Sequence, residues 1–457
     1  MKNRNKELKE QVMVNHLFLL YILFFYLWSS LSAQNLDKIE FYEASKVMEQ
    51  MDKNSKTPVI AVIDGGVRMD LFPGAIFTVN ENEIQNNGID DDENGYIDDY
   101  FGWNFADNSN DITNEKAGDW HGTPVLSLIH RMISSNKNVQ LMNLVKGNTI
   151  DEIKSSLKYV LDLRRRYNET DGKEGVFIVA INCSWGKSDL WASDYTDWCS
   201  LYNELGEQGV LVVSSVPNDN INVDEVGDMP STCDSDYLIT TTNTNINDEK
   251  VLEAAFGFTS VDMSAPGNGS YTLLNTGEYG FFGGTSAAAP YISATVGLLY
   301  SLFIKDFNKI VENNPKKAAN LIKNVLLEGN DKLTGLNHIT LSKGRLNVYG
   351  SLKLLLKAFD LNDTYVEFFK SLKIQKIYPN PIINEVNLIL ESDRDESVQI
   401  DFLDINGRII KSLQSFVQNG IREIKVSLGN FKLDGGLYIL QVHTHSGLLD
   451  RKKIIVK

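Results

Sequence analysis

Three short stretches, far apart in the chain, carry side chains that together can perform nucleophilic chemistry. Asp64 ends the apolar run V-I-A-V-I (Val59 to Ile63) and opens D-G-G, His121 stands in D-W-H-G-T-P-V, and Ser286 lies in F-F-G-G-T-S-A-A-A-P (Phe281 to Pro290). A serine hydroxyl is a weak nucleophile until a base takes its proton. An imidazole serves best as that base when a carboxylate fixes its tautomer and steadies its charged form. The chemistry of such a set is acyl transfer. Each stretch alone is ordinary, since a serine at a helix start is most simply an N-cap and D-G-G or H-G-T is an everyday loop. Their conjunction, in the chain order Asp, His, Ser, points to catalysis.

The elements that must position these residues are legible around them. Val59 to Ile63 is short, β-rich and wholly apolar, as in a parallel strand covered on both faces, so Asp64 falls at its carboxyl end. After His121, the residues Val125, Leu128 and Ile129 recur at helical spacing. Gly283 and Gly284 permit a tight turn, and Ser286 opens a helix of small residues. Pro290 is expected within the first turn, where a missing amide hydrogen is harmless. The run A-A-A-P-Y-I-S-A-T-V-G-L-L-Y has no charged face and predicts a buried helix. Further β-rich runs at 139–145, 176–181, 209–215 and 237–242 alternate with helical patterns at 151–167, 194–206 and 316–327. That alternation predicts an α/β fold of three layers with a mainly parallel sheet. The basic run Arg164 to Arg166 reads as a solvated helix end that complements the dipole.

Together these motifs resemble the subtilisin-like serine proteases, the subtilases, over about residues 57 to 356. The resemblance implies a catalytic triad of Asp64, His121 and Ser286. It implies that Asn218, in V-P-N-D-N, is the side-chain donor to the oxyanion. Loss of one such donor costs about 10²–10³ in turnover, a figure established on subtilisin and not deduced from this chain. It also implies that Ser184, Trp185 and Gly186 form one wall of the substrate cleft and pair with an extended peptide through the backbone. M-S-A-P-G (Met263 to Gly267) is a further landmark. Two positions depart from the family pattern. Pro217 replaces the usual glycine before Asn218, and Gly65 replaces the threonine or serine that follows the aspartate. No H-E-x-x-H occurs and histidines number six, which disfavours a zinc protease.

Between Asp64 and His121 lies the most acidic part of the chain, I-D-D-D-E-N-G-Y-I-D-D. Asp90, Asp92, Asn94 and Asp98 offer hard oxygens at alternating positions around the sharp bend at Gly95, as in the first part of an EF-hand-like loop. The expected ligands of a structural calcium ion are Asp90, Asp92, Asn94, Tyr96 and Asp98, with Asp99 or groups elsewhere replacing the absent twelfth-position glutamate. The bland reading is a solvated acidic turn, but so many like charges repel strongly without a counter-ion. No organic cofactor is expected.

The formal net charge of −16 over 457 residues argues against a nucleic-acid or anionic-membrane partner. Lys2, Arg4, Lys6 and Lys9 precede the apolar run Leu17 to Trp28 and a small-residue exit ending at Ala33. Residues 1–33 therefore read as a signal peptide, leaving no transmembrane span in the mature chain. Residues 34–57 read as a short polar lead-in. Many subtilases carry a much longer folded prosegment there, so a different maturation is expected. Cys183 reads as a core residue, and whether Cys199 and Cys233 pair is open.

Residues 58–358 read as the catalytic domain and 359–373 as a linker. From Ile374 to Lys457, brief alternating strands with a turn at Asn406-Gly407 predict a small antiparallel β-sandwich. I-Y-P-N-P (Ile377 to Pro381) opens this module, and G-G-L-Y-I-L-Q-V and K-K-I-I-V-K close it. It resembles the sorting domain of the type IX secretion pathway. That implies the secretion machinery as a partner, with export through the periplasm and outer membrane to the cell surface or medium. A generic accessory sandwich is the alternative. His443 and His445 read as solvated side chains, too few for a metal site. The function implied is a secreted serine endopeptidase acting on peptide or protein substrates. The rival is a surface-displayed pseudo-protease that binds peptide or calcium without turnover, and it rests on Pro217, Gly65 and the lead-in.

Overall fold

Five consecutive β-branched or small apolar residues and a terminal aspartate give β1 (Val59–Asp64), which is buried along its whole length. The computed structural model describes residues 34–457 except 73–75, 114–119, 135–137, 360–371, 393–394, 405–407, 429–432 and 445–448. The signal peptide, most of the linker, the Asn406-Gly407 turn and His445 lie outside the described residues. In chain order β1 is followed by β2 (Gln140–Val145), β3 (Ile178–Cys183), β4 (Lys187–Ser188), β5 (Leu211–Ser215) and β6 (Asp228–Met229). Then come β7 (Leu238–Thr244), β8 (Met263–Pro266), β9 (Ser270–Leu273), β10 (Tyr279–Phe282), β11 (Asp331–Lys332) and β12 (Gly344–Arg345). Eight of them form one sheet in the order β11-β12-β8-β7-β5-β3-β1-β2, parallel throughout except for β11 against β12. The carboxyl ends of β1, β3 and β5 consequently line one edge of the sheet, which is where open parallel sheets carry their sites.

Helices cover both faces. They are α1 (Phe41–Glu49), α2 (Gly122–Ile133), α3 (Ile150–Glu169), α4 (Thr196–Glu207), α5 (Val223–Val226), α6 (Thr285–Tyr300), α7 (Lys305–Asn313), α8 (Pro315–Glu328) and α9 (Val348–Phe359). Every residue of α6 is buried, as its missing charged face requires. Pro290 is the sixth residue of α6, not a first-turn residue, so it deprives the Ser286 carbonyl of its intrahelical donor. One core cluster packs α1, α2, α6, α8 and α9 on one face of the sheet, and a second packs α3 and α4 on the other. A disulfide joins Cys199 of α4 to Cys233, with Cα atoms 5.3 Å apart.

Two expectations need correction. The lead-in is no polar appendage, because Leu36, Ile39, Phe41, Ala44 and Met48 lie on one side of residues 34–49 and are buried in the main core. The Ile39 carbonyl accepts the Val348 amide of α9 at 2.8 Å, and Asn35 Nδ2 donates to the Pro266 carbonyl at 3.2 Å. The Arg164 to Arg166 run is not a solvated end either. Helix α3 continues to Glu169, and Arg164 is 1% exposed, with its guanidinium 4.5 Å over the Phe177 ring and donating to the Ile178 carbonyl at 2.7 Å. Burial lowers its pKa to about 10.

The C-terminal module comprises β13 (Leu372–Tyr378), β14 (Glu385–Ser392), β15 (Glu396–Leu403), β16 (Ile409–Val417), β17 (Gly420–Ser427), β18 (Gly436–Thr444) and β19 (Leu449–Val456). Two antiparallel sheets, β13-β14-β17 and β16-β15-β18-β19, enclose a core of alternating inward residues such as Val386, Leu388, Leu390, Ile400 and Phe402. Its first strand starts inside the expected linker, because Leu372 is needed opposite Ser392. Arg451 of β19 anchors the module, its guanidinium 3.9 Å over the Phe258 ring. If residues 34–49 belong to the core, Ile39→Ala should destabilise the protein by about 2–5 kcal/mol in denaturant unfolding, as for other buried large-to-small changes. A loss below about 1 kcal/mol would return the segment to a surface role.

Candidate active site

Asp64 reaches His121 because two backbones come unusually close. A side chain on Gly122, the first residue of α2, would meet the Gly65 carbonyl at 2.6 Å, so only glycine lets α2 start against the end of β1. The result is a contact of 2.7 Å between Asp64 Oδ1 and His121 Nδ1, with Asp64 1% exposed and the His121 side chain 38% exposed. The same Oδ1 accepts the Gly65 amide at 2.6 Å. Asp64 Oδ2 finds no hydrogen-bond partner among the described residues. Gly65 has no side chain and so brings no hydroxyl to this carboxylate. With Nδ1 engaged by the carboxylate, the accepting lone pair of the neutral imidazole is on Nε2.

Ser286 enters from the opposite side, at the second residue of α6. Its hydroxyl donates to the Ser184 carbonyl at 3.1 Å, and the Ser184 hydroxyl donates to the Ser286 carbonyl at 2.9 Å. That second bond supplies the donor that Pro290 withholds. Phe282, just ahead in the same loop, packs edge-on to the His121 ring with centroids 5.4 Å apart. The Ser286 amide belongs to the first turn of α6, where no intrahelical carbonyl takes it.

Asn218 follows β5. Its Oδ1 accepts the Thr285 amide at 2.9 Å and the Thr285 hydroxyl at 3.1 Å. Because an amide N–H can only donate, Oδ1 faces Thr285 and Nδ2 is the end left for another acceptor. Gly284 has φ +77°, and a Cβ there would stand 2.8 Å from Asn218 Oδ1. Pro217 is accommodated, its carbonyl accepting the Ala255 amide at 2.9 Å.

The S-W-G segment is split in character. Ser184 is buried and Gly186 exposed, while the Trp185 indole turns inward, donating to the Ile63 carbonyl at 2.6 Å and lying 6.5 Å from Trp198.

In the acidic loop, ligand oxygens of Glu83, Asp90 and Asp92 all lie within 4.8 Å of one another. Glu83, which no spacing pattern singles out, is 3% exposed, and burial raises its pKa. Asp90 and Asp92 also accept the Asn94 amide, and Asp92 lies 3.5 Å from Arg166, while the remaining expected ligands stand outside this cluster. Asn94 Oδ1 accepts the Tyr96 amide, Asp98 accepts the amides of Asn87 and Gly88, and the Tyr96 ring packs on Trp103 and Tyr159. Asp99 is fully buried and accepts from Asn80, Asn94 and Tyr159 at 2.7–2.9 Å, so it ties the loop to α3. His443 meets Asp401 at 2.9 Å inside the module and is not solvated alone.

A mainly parallel sheet flanked by helices, with Asp64 and His121 in contact at the end of β1 and Ser286 at the start of α6, is the architecture of the subtilisin-like class. Residues 55–338 match the subtilase family, more than half of the chain, and residues 376–457 match a secretion system C-terminal sorting domain. The chain belongs to the subtilase family. It is 25% identical over 345 residues to subtilisin-like protease 1 of Plasmodium berghei, covering 70% of this chain and 53% of that protein. It is 32% identical over 107 residues to an extracellular protease of Xanthomonas campestris, covering 22% and 18% respectively. The crystal structure of the Staphylococcus aureus epidermin leader peptide processing serine protease matches with a TM-score of 0.51 at 18% identity, over 71% of this chain and 81% of that one, a likeness of fold. The chain spans about half the length of the curated relatives it matches first.

Proposed function

We propose that the protein is a secreted serine endopeptidase in which Ser286 is the nucleophile, His121 the general base and acid, and Asp64 the residue that orients His121. The contact of 2.7 Å between Asp64 and His121, made by a buried carboxylate, carries the reading. Ser286 exchanges its hydrogen bond to the Ser184 carbonyl for His121 Nε2, attacks the scissile carbonyl, and His121 takes the proton. The tetrahedral oxyanion is held by Asn218 Nδ2 and the Ser286 amide. His121 then protonates the leaving amine, and water repeats the sequence on the acyl-enzyme. The peptide runs along 184–186 by backbone pairing.

Calcium fits the acidic loop, because Glu83, Asp90 and Asp92 bring carboxylate oxygens within 4.8 Å of one another, more negative charge than Arg166, 3.5 Å from Asp92, offsets. Its part is structural, holding the turn that Asp99 fastens to α3. The C-terminal module directs the chain through the type IX pathway to the cell surface or medium. Among the described residues, no helix is long and apolar enough to cross a membrane.

A fluorophosphonate probe should label the wild type at one site and leave Ser286→Ala unlabelled. A folded wild type that resists the probe would instead support a peptide-binding pseudo-protease. Chelation should lower the melting temperature by about 5–10 °C in the wild type and leave Glu83→Gln unmoved, the range expected when a ligand well above its Kd is withdrawn. Equal shifts in both proteins would remove calcium from this loop. In cell fractionation, a chain ended before β13 should stay in the periplasm, and normal surface display of that chain would refute the sorting role.

A further inference from the structure

Beside the segment 184–186 lies a carboxylate that neither the triad nor the sheet uses. Asp228 sits on β6, paired with Ser188 of β4, the strand that continues from Gly186. It is 0% exposed. Its Oδ2 accepts the Ser231 hydroxyl at 2.6 Å, while Oδ1 has no hydrogen-bond partner among the described residues. A Cβ added at Gly186 would stand 3.0 Å from Oδ1 and 3.3 Å from Oδ2, so the carboxylate lies directly against an exposed residue that has no side chain of its own. Burial pushes the Asp228 pKa up to about 7, and no cation is among the groups that act on it. A buried carboxylate with one oxygen unsatisfied is unfavourable unless a donor arrives from outside the fold.

We propose that Asp228 determines specificity by receiving the cationic head of a lysine or arginine at the substrate position immediately ahead of the scissile bond. The inference rests on the peptidase reading above. With its scissile carbonyl over Ser286 and beside Asn218, and its backbone along 184–186, a peptide has His121 on one side. The side chain ahead of the bond is then directed to the other, past Gly186, against which the Asp228 carboxylate lies. A divalent metal is poorly served there by one carboxylate and one hydroxyl, whereas an ammonium or guanidinium brings its own donors and needs a single anion. Asp219, exposed next to Asn218, and the net charge of −16 favour the approach of a cation.

The test is a set of peptides identical except for Arg, Lys, Met, Phe or Glu ahead of the scissile bond, with rates expressed per fluorophosphonate-titrated site. The wild type should prefer Arg and Lys over Met by about 100-fold or more in kcat/KM, the scale of a desolvated charge pair. Asp228→Asn should bring that ratio to within about tenfold. Because the substitution alters a fully buried side chain, the wild type is also offered an arylamidine, expected to inhibit competitively about 100-fold more tightly than its neutral carboxamide counterpart. A wild type that labels but cleaves after Met or Phe as readily as after Arg overturns the role of Asp228 and leaves the peptidase reading standing. A wild type that does not label overturns both.

Discussion

The site depends on a reciprocal pair of hydrogen bonds between the end of β3 and the start of α6. Pro290 has no amide hydrogen, so the Ser286 carbonyl would be orphaned inside a fully buried helix. The Ser184 hydroxyl supplies the missing donor at 2.9 Å, and the Ser286 hydroxyl returns a bond to the Ser184 carbonyl at 3.1 Å. Asn182 Nδ2 donates to the same Ser184 hydroxyl, and Ser293, two turns further along α6, donates to Asn182 Oδ1, both at 2.9 Å. A helix defect is thus converted into a fixed distance between the proposed nucleophile and the peptide-facing wall. Asn218 adds a tie from β5 through Thr285. Two neighbouring strand ends are thereby referred to one helix terminus.

Four buried carboxylates show how the partners of each oxygen separate roles. Asp99 accepts three side-chain hydrogen bonds and is a structural post. Asp64 spends one oxygen on His121 and the Gly65 amide and leaves the other without a partner among the described residues, which suits the role proposed for it. Glu83 accepts the amides of Asp91, Asp92 and Asp98 and faces two further carboxylates, the place proposed for calcium. Asp228 has a single hydroxyl partner and an idle oxygen turned to an exposed glycine. All four are buried carboxylates, and what their oxygens meet distinguishes them.

Much of the architecture was legible from pattern alone. The runs around Val59, Val139 and Val176 became buried parallel strands because β-branched residues covered on both faces leave no other economical arrangement. The helix after Ser286 was legible from its lack of a charged face. The lead-in was misread because Leu36, Ile39, Phe41, Ala44 and Met48 are diluted by charged neighbours, and only the groove between α9 and β8 reveals their common side. Arg164 was misread because a basic run at a helix end resembles a solvated cap, whereas the Phe177 ring and the Ile178 carbonyl that receive it are contributed by the next strand.

By itself the sequence determined residue types, their order, and the periodicities that make strands and helices, and these depend on neighbours a few positions apart. Asp64, His121 and Ser286 were identifiable because each sits in a local motif. Glu83 and Asp228 have none, and their significance arises from what lies across space: the acidic turn in one case and Gly186 in the other. Whether Cys199 meets Cys233, and whether Pro217 still lets Asn218 reach Thr285, was likewise decided by packing between distant segments. Such contacts are fixed by the three-dimensional closure of the sheet and its helices, which no local pattern encodes.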